Sequence, residues 1–222
     1  MEGCYQSVAA RVYSYDAHLV DEGGEYVLRS WLGVCKEEHG VTDERTLKCM
    51  DVLGHFLRQQ GKLAEARVLF TECLTARRSA LGPKHTGTLA SMCNLAQLLR
   101  AQGSLVEAVP LMREALDTLR ATPGPHHNST LPYTSSLAGM LMDLGELSAA
   151  EALYREVLEV RLATVGPRHS ETLTSMNNLA SVLMSQGRFG DAEPLLQSAL
   201  EASIIILGSL HPGTLNLKGN FG

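Results

Sequence analysis

The chain carries no excess of positive charge, no long apolar run and no paired spacing of cysteines, and each absence argues against a class of protein. Lysine and arginine number 19 against 24 aspartates and glutamates, a formal net charge of −5. No stretch forms a basic stripe, so nucleic acid is not an expected partner. Nothing approaches the roughly 18 successive apolar residues of a membrane-spanning helix. The first residues, MEGCYQSVAARVYSYD, also lack the apolar run of a secretory leader. The five cysteines (Cys4, Cys35, Cys49, Cys73 and Cys93) include no CxxC and all lie in the first half. An odd, scattered set suits a reducing compartment rather than a disulfide framework. A cytoplasmic protein with no membrane partner is the expectation.

Signatures of chemistry are also missing. No glycine-rich phosphate loop follows a strand, and there is neither a G-x-S-x-G nor an HExxH. Asn128-Ser129-Thr130 fits the glycosylation pattern, but without a leader it reads as a chance match. No enzyme and no cofactor are predicted.

What the chain does have is repetition. Thr172–Leu200, TLTSMNNLASVLMSQGRFGDAEPLLQSAL, matches Thr88–Leu116, TLASMCNLAQLLRAQGSLVEAVPLMREAL, at 15 of 29 positions. A third copy lies between them, so the period is 42: Thr46, Thr88, Thr130, Thr172 and Thr214 are evenly spaced. Gly61, Gly103, Gly145 and Gly187 keep the same interval. A fixed period between roughly 20 and 50 residues marks a solenoid. Within a copy, Met176, Leu179, Ala180 and Leu183 form one stripe of an α-helix. Thr172 is its predicted N-cap, and Gly187 ends it by supplying a left-handed conformation. Phe189, Ala192, Leu195, Leu196, Ala199 and Leu200 begin a second helical series. Each repeat is therefore a helix pair, A then B. Two columns of small residues let the pair pack closely: Gly54, Ala96, Ala138, Ala180 on helix A, and Ala66, Ala108, Ala150, Ala192 on helix B.

Four repeats follow from this period: residues 41–82, 83–124, 125–166 and 167–208. Residues 1–40 read as a degenerate capping pair, with helices over 7–20 and 25–38 and a turn at Glu22-Gly23-Gly24. Residues 209–222 begin a fifth repeat but leave the pattern at Leu217, before a first helix can form. Apolar residues among Leu196, Leu200, Ile204 and Ile206 would then be exposed, which predicts self-association through the C-terminal end unless the tail folds back over them. Pro132 falls in a first helical turn, where a missing amide costs little, while Pro110 and Pro194 sit deeper. Trp31, the sole tryptophan, is expected to pack, as are Cys49 and Cys73.

His85, His127, His169 and His211 also recur at the period and invite a metal reading. Packed helices lie roughly 8–10 Å apart, and equivalent loops are two helices apart, whereas metal–nitrogen bonds span about 2 Å. One ion cannot bridge them, so the column is expected to structure the loop and no metal site is predicted.

The pattern "LGP-H-TL-S-NNLA-LL-QG-EAEPL-AL" resembles the long tetratricopeptide repeats of kinesin light chains and nephrocystin-3-like proteins. Tetratricopeptide repeats usually run about 34 residues, and the eight additional ones amount to roughly two more helical turns. The resemblance covers about residues 40–215. It implies an all-α fold, a tetratricopeptide-repeat α-solenoid wound as a right-handed superhelix, with A helices lining a concave groove. It also implies a non-enzymatic scaffold that binds a protein or an extended peptide. The alternatives are a structural or oligomerisation module acting through its end faces, or a fragment of a larger signalling or motor-adaptor protein. A kinesin light chain would be expected to carry a heptad coiled coil before its repeats, and none is visible here.

At 100° per residue, Met50, Leu53, Gly54 and Leu57 face inward and Lys48, Asp51, Val52, His55 and Gln59 face out, with Arg58 at the edge. Carried along the array, this face supplies the candidate peptide-binding residues Lys48, Asp51, Val52, His55, Arg58, Asn94, Gln97, Arg100, Ser136, Asn177, Asn178 and Ser181. They are rich in short amides and hydroxyls, which pair well with an extended backbone. In the proteins this chain resembles, an asparagine of the NNLA motif contacts the bound peptide; Asn94 and Asn178 match that position, and Val52 and Ser136 depart from it. Arg58, Arg100 and Lys48 make one part of the face basic, and Met142 and Met184 make another apolar. A partner with acidic and apolar or aromatic residues is predicted.

Overall fold

The apolar columns fold as their spacing predicts. The computed structural model describes residues 22–121 and 129–221, which form ten helices and no strand among the described residues. In chain order these are α1 (Glu22–His39), α2 (Glu44–Gln59), α3 (Leu63–Leu81), α4 (Thr86–Ala101) and α5 (Leu105–Ala121). Then follow α6 (Leu131–Asp143), α7 (Leu147–Thr164), α8 (Ser170–Ser185), α9 (Phe189–Leu207) and α10 (Pro212–Phe221). Two compact units divide the chain, Met1–Ala115 and Leu116–Gly222. In the first, α1, α2, α3 and α4 each pack on the next; in the second, α6 through α10 do the same.

Every A–B turn depends on a glycine. Gly61, Gly103, Gly145 and Gly187 have φ between 76° and 83°, a left-handed conformation that disfavours any residue with a Cβ. Below the turns, the small column is buried: Gly54 lies in the core of α2, and Ala96, Ala138 and Ala180 are 0 % exposed. In the first repeat the glycine is complementary to a larger neighbour. A Cβ built on Gly54 would lie 2.6 Å from Cε1 of Phe70, a fully buried ring. The Phe70 column continues as Met112, Tyr154 and Leu196, each opposite an alanine. Gly54→Ala is expected to destabilise, because overpacking costs about 1–3 kcal/mol against roughly 1 kcal/mol of helix propensity gained. In a Phe70→Leu background the same change should stabilise. Urea unfolding of the four chains reads this reversal, and an unchanged sign would refute the contact.

The structure corrects the start and the end of the array. Glu22-Gly23-Gly24 is the first turn of α1, not a connection between helices. The helix expected over 7–20 lies outside the described residues. At the other end, residues 212–221 do form a helix, α10, which packs on α9. Thr214 and Leu217 are buried there, at 0 % and 6 % exposure, although Leu215 is 49 % exposed. Leu196 is buried at 3 % and Leu200 is half-buried, so neither belongs to an open face, whereas Ile204 and Ile206 remain exposed. Two buried columns are enough to seat one helical surface, even where the rest of the motif has gone.

The predicted cap at Thr172 is also corrected. His169 caps α8: its Nδ1 accepts from the Glu171 amide at 3.3 Å. His85 and His211 do the same for Gly87 and Gly213, each at 3.1 Å, and Asp43 fills this column in the first repeat. His127 lies outside the described residues. The buried Thr172 hydroxyl instead donates to the Gly166 carbonyl at 2.7 Å, as Thr88 does to Gly82 at 2.8 Å. The histidine column thus structures the loop by capping the helix that follows it.

Candidate peptide-binding face

The A helices α2 and α8 are each packed on both flanks, which leaves a narrower open strip than a two-faced helix would have. Two of the predicted site residues fall outside that strip. Val52 is 2 % exposed and Asp51 7 %, so neither is open to a ligand. Asp51 is committed inward: its Oδ2 lies 2.6 Å from Arg77 Nη2, whose own Nη1 donates to Ser91 Oγ at 2.6 Å. The 100° projection placed Asp51 opposite the Leu53 stripe correctly, but it could not show that a neighbouring repeat packs there too.

The remaining candidates of the first unit cluster on α2 and α4. Arg58 Nη1 donates to Gln97 Oε1 at 3.5 Å, and Gln97 Nε2 lies 3.3 Å from Cys93 Sγ. Asn94 Nδ2 donates to Asp51 Oδ1 at 3.3 Å. His55 meets Phe70 edge-on at 5.2 Å, and burial, then the nearby Arg58 cation, lowers its pKa. Arg100 is partly exposed on the last turn of α4. Lys48 is exposed and paired with Glu44 at 2.7 Å. Burial pushes the thiols of Cys49 and Cys73 up to about 12 and that of Cys93 to about 11, so they remain protonated packing groups.

In the second unit, Ser136, Asn177, Asn178 and Ser181 are half-buried on α6 and α8, beside the equally half-buried Met142 and Met184. Ser181 Oγ donates to the Asn177 carbonyl at 2.9 Å. One residue of this face escaped the sequence reading. Asn220 stands 42 residues after Asn178, and its Nδ2 donates to Asn177 Oδ1 at 2.8 Å. This repeats the Asn94–Asp51 contact at the same separation of 43 residues. The signal was present in the spacing, but the loss of the surrounding motif hid it.

Charge on the B helices holds neighbouring repeats together. Lys36–Glu72, Arg78–Glu114 and Arg120–Glu156 are three ion pairs, each at 2.7 Å and each 36 residues apart. Arg29–Glu65 and Arg67–Glu107 add two more, so Glu65 and Glu107, acids in the first turns of α3 and α5, also pair with the preceding helix B. Exposed pairs of this kind contribute about 0–1 kcal/mol each, so their value is in register more than in stability.

A tighter group surrounds Glu151 on α7. It accepts from Gln186 at 2.9 Å, Arg155 at 2.8 Å and Arg188 at 2.9 Å. These bonds, that of Gln186 first, hold its pKa down to about 2 from an ordinary 4.5. Glu25 occupies the same column, and Lys62 and then Arg29 lower it. A carboxylate held below its unfolded pKa stabilises the fold fully above that unfolded value, and the contribution is lost as pH falls through the folded value. Glu151→Gln should therefore flatten the loss of stability between pH 4.5 and about 2, as read by urea unfolding at successive pH values. An unaltered acid slope would show that Glu151 is not held this way.

These helix pairs, glycine turns and capped loops define a tetratricopeptide-repeat α-solenoid. The tetratricopeptide repeat family profile matches residues 45–121, 94–162, 130–205 and 171–222, and the chain belongs to that family. Among solved structures it is similar to a variant of the Podosopora anserina kinesin light chain nearly identical TPR-like repeats, at 22 % identity and TM-score 0.78, over 90 % of this chain and 94 % of that one. The parent form of that protein gives 21 % and 0.77, over 91 % and 96 %. BtubC (BKLC) from P. vanneervenii gives 17 % and 0.73, over 92 % and 80 %. At these identities the likeness is one of fold, that of kinesin light chain-like repeats. No curated protein sequence matches the chain. The family is one of protein-interaction scaffolds, generally non-enzymatic. No helix among the described residues is long and apolar enough to cross a membrane.

Proposed function

We propose that the chain is a cytoplasmic adaptor whose A helices bind an extended segment of a partner protein. The observation that carries this reading is the half-buried polar strip on α2 and α4, where Arg58 donates to Gln97, Gln97 to Cys93, and Asn94 to Asp51. Side chains already held by neighbours lose little further entropy when a peptide binds them. Asn94 spends one amide hydrogen on Asp51 and keeps its carbonyl for a backbone N–H of the ligand. The Asp51 carboxylate, which Asn94 contacts, is neutralised by Arg77, and Arg58 and Arg100 add cationic side chains to this strip. Acidic residues of a ligand fit this strip, and, as a separate site on the second unit, the half-buried Met142 and Met184 fit an apolar or aromatic residue.

Affinity selection from a displayed library of short random peptides tests the proposal. Enrichment of acidic sequences is expected, with binding that weakens in salt and falls at least about tenfold on Arg58→Glu, Arg100→Glu. Selected peptides indifferent to both reversals do not lie on this face, and a library that yields no binder removes the reading altogether.

A further inference from the structure

In the four repeats Arg77, Leu119, Arg161 and Ser203 share one column of helix B, and Arg77 and Arg161 reach between successive A helices. In the first repeat Arg77, 8 % exposed, is balanced by Asp51. In the third, Arg161 has Glu171 Oε2 at 3.9 Å and donates to Ser175 Oγ at 2.8 Å. In the second, Asp51 and Glu171 give way to Cys93 and Ser129, and an apolar residue, Leu119, stands in the column at 7 % exposure. Across the first three repeats an arginine stands where an acid is present and a leucine where none is.

The fourth repeat has neither. Its residue in the column is Ser203, and a cavity of about 280 Å³ opens there between α8, α10 and the end of α9. Leu173, Leu217 and Ser203 form its buried walls, and Thr174, Asn177 and Asn216 its more open rim. No lining residue is acidic. The Ser203 and Thr214 hydroxyls are hydrogen-bonded to each other at 2.7 Å. At the rim, the Oδ1 atoms of Asn177 and Asn216 both accept from Asn220 Nδ2, at 2.8 and 3.5 Å, which leaves their own Nδ2 groups to donate.

We infer that this cavity is a binding slot for an uncharged aliphatic side chain, of leucine size, carried by an extended peptide. The occupant matches in size Leu119, the buried residue at this column of the second repeat, while Asn177 and Asn216 donate to its flanking backbone carbonyls. A guanidinium is excluded by cost: without a carboxylate to replace its hydration, burying it is unfavourable. This inference rests on the proposal that the A helices receive an extended peptide, and it names one side chain that the second unit selects.

N-acetyl-leucine N-methylamide, titrated into the intact chain and followed by NMR, tests the slot, with the alanine and arginine analogues alongside. The leucine probe should shift the Leu173 and Leu217 methyls and the Asn177 side-chain amide, and bind about tenfold tighter than the alanine probe. Ser203→Leu, which fills the slot from inside, should abolish those shifts. Asn216→Trp, at the exposed rim, should abolish them as well and disturbs no buried contact should the first variant fold poorly. Equal or tighter binding of the arginine probe, no shifts at these residues, or shifts that survive both variants would overturn the assignment. The two proposals fail separately. Selected peptides sensitive to the arginine reversals but not to Ser203→Leu keep the adaptor and remove the slot. A leucine probe seated in a chain that captures no library peptide does the reverse.

Discussion

Asp51→Ala is expected to destabilise the chain by about 3–5 kcal/mol, the usual cost of removing one partner from a buried ion pair. The size follows from what is left behind. Arg77 is 8 % exposed, and the Ser91 hydroxyl that it also contacts, at 2.6 Å, carries no charge. Asn94 and the Cys73 thiol would also lose the Oδ1 that they approach at 3.3 and 3.7 Å. The second repeat shows how the pair can be dispensed with, since Cys93 and Leu119 occupy the two columns there. The double change Asp51→Cys, Arg77→Leu should accordingly recover most of the loss, because an apolar pair has no charge to desolvate. A double-mutant cycle by urea unfolding gives the coupling directly. A loss under about 1 kcal/mol for Asp51→Ala, or a double variant no better than its weaker parent, would show that the pair is not buried as described.

Leu137→Asp should unfold the second unit. Leu137 is 3 % exposed on α6, and its column mates Leu53, Leu95 and Leu179 are 1 %, 8 % and 2 % exposed. A carboxylate there has no cation built to receive it, and an unpaired buried charge costs several kcal/mol at least. Domains of this size hold only about 5–15 kcal/mol in reserve, and in a repeat array each pair is stabilised largely by its neighbours. Helical circular dichroism should fall, and amide protection should be lost across α6–α9. Ile205→Asp is the control: at 71 % exposure on α9, it should change stability by no more than about 0.5 kcal/mol. Native helicity and melting in Leu137→Asp would remove the assignment of this column to the core.

Where reading from sequence went astray, a particular competing contact explains it. Thr172 resembles an N-cap because short hydroxyls lead the cap preferences, yet His169 takes that place and turns the threonine to the Gly166 carbonyl. Val52 and Asp51 look outward on an isolated helix and are buried because α2 has a neighbour on each flank. The helix α10 was missed because only Asn220 remains of its NNLA-like residues, although Thr214 and Leu217 are buried there.

The sequence by itself determined the helix pairs, their glycine turns and the family, because a period of 42 displays the same local physics again and again. Apolar spacing, small columns and left-handed glycines are properties of one repeat and need no partner to be recognised. Only the tertiary structure decided what passes between repeats. The Asp51–Arg77 pair, the ion pairs 36 residues apart, the Asn220–Asn177 bond and the cavity over Ser203 all join side chains on different helices. Their meeting depends on how each pair stacks on the next, and helical periodicity carries no information on that stacking. The candidate face is the surface left over once those inter-repeat contacts are made, which is why its extent could be read only after they were.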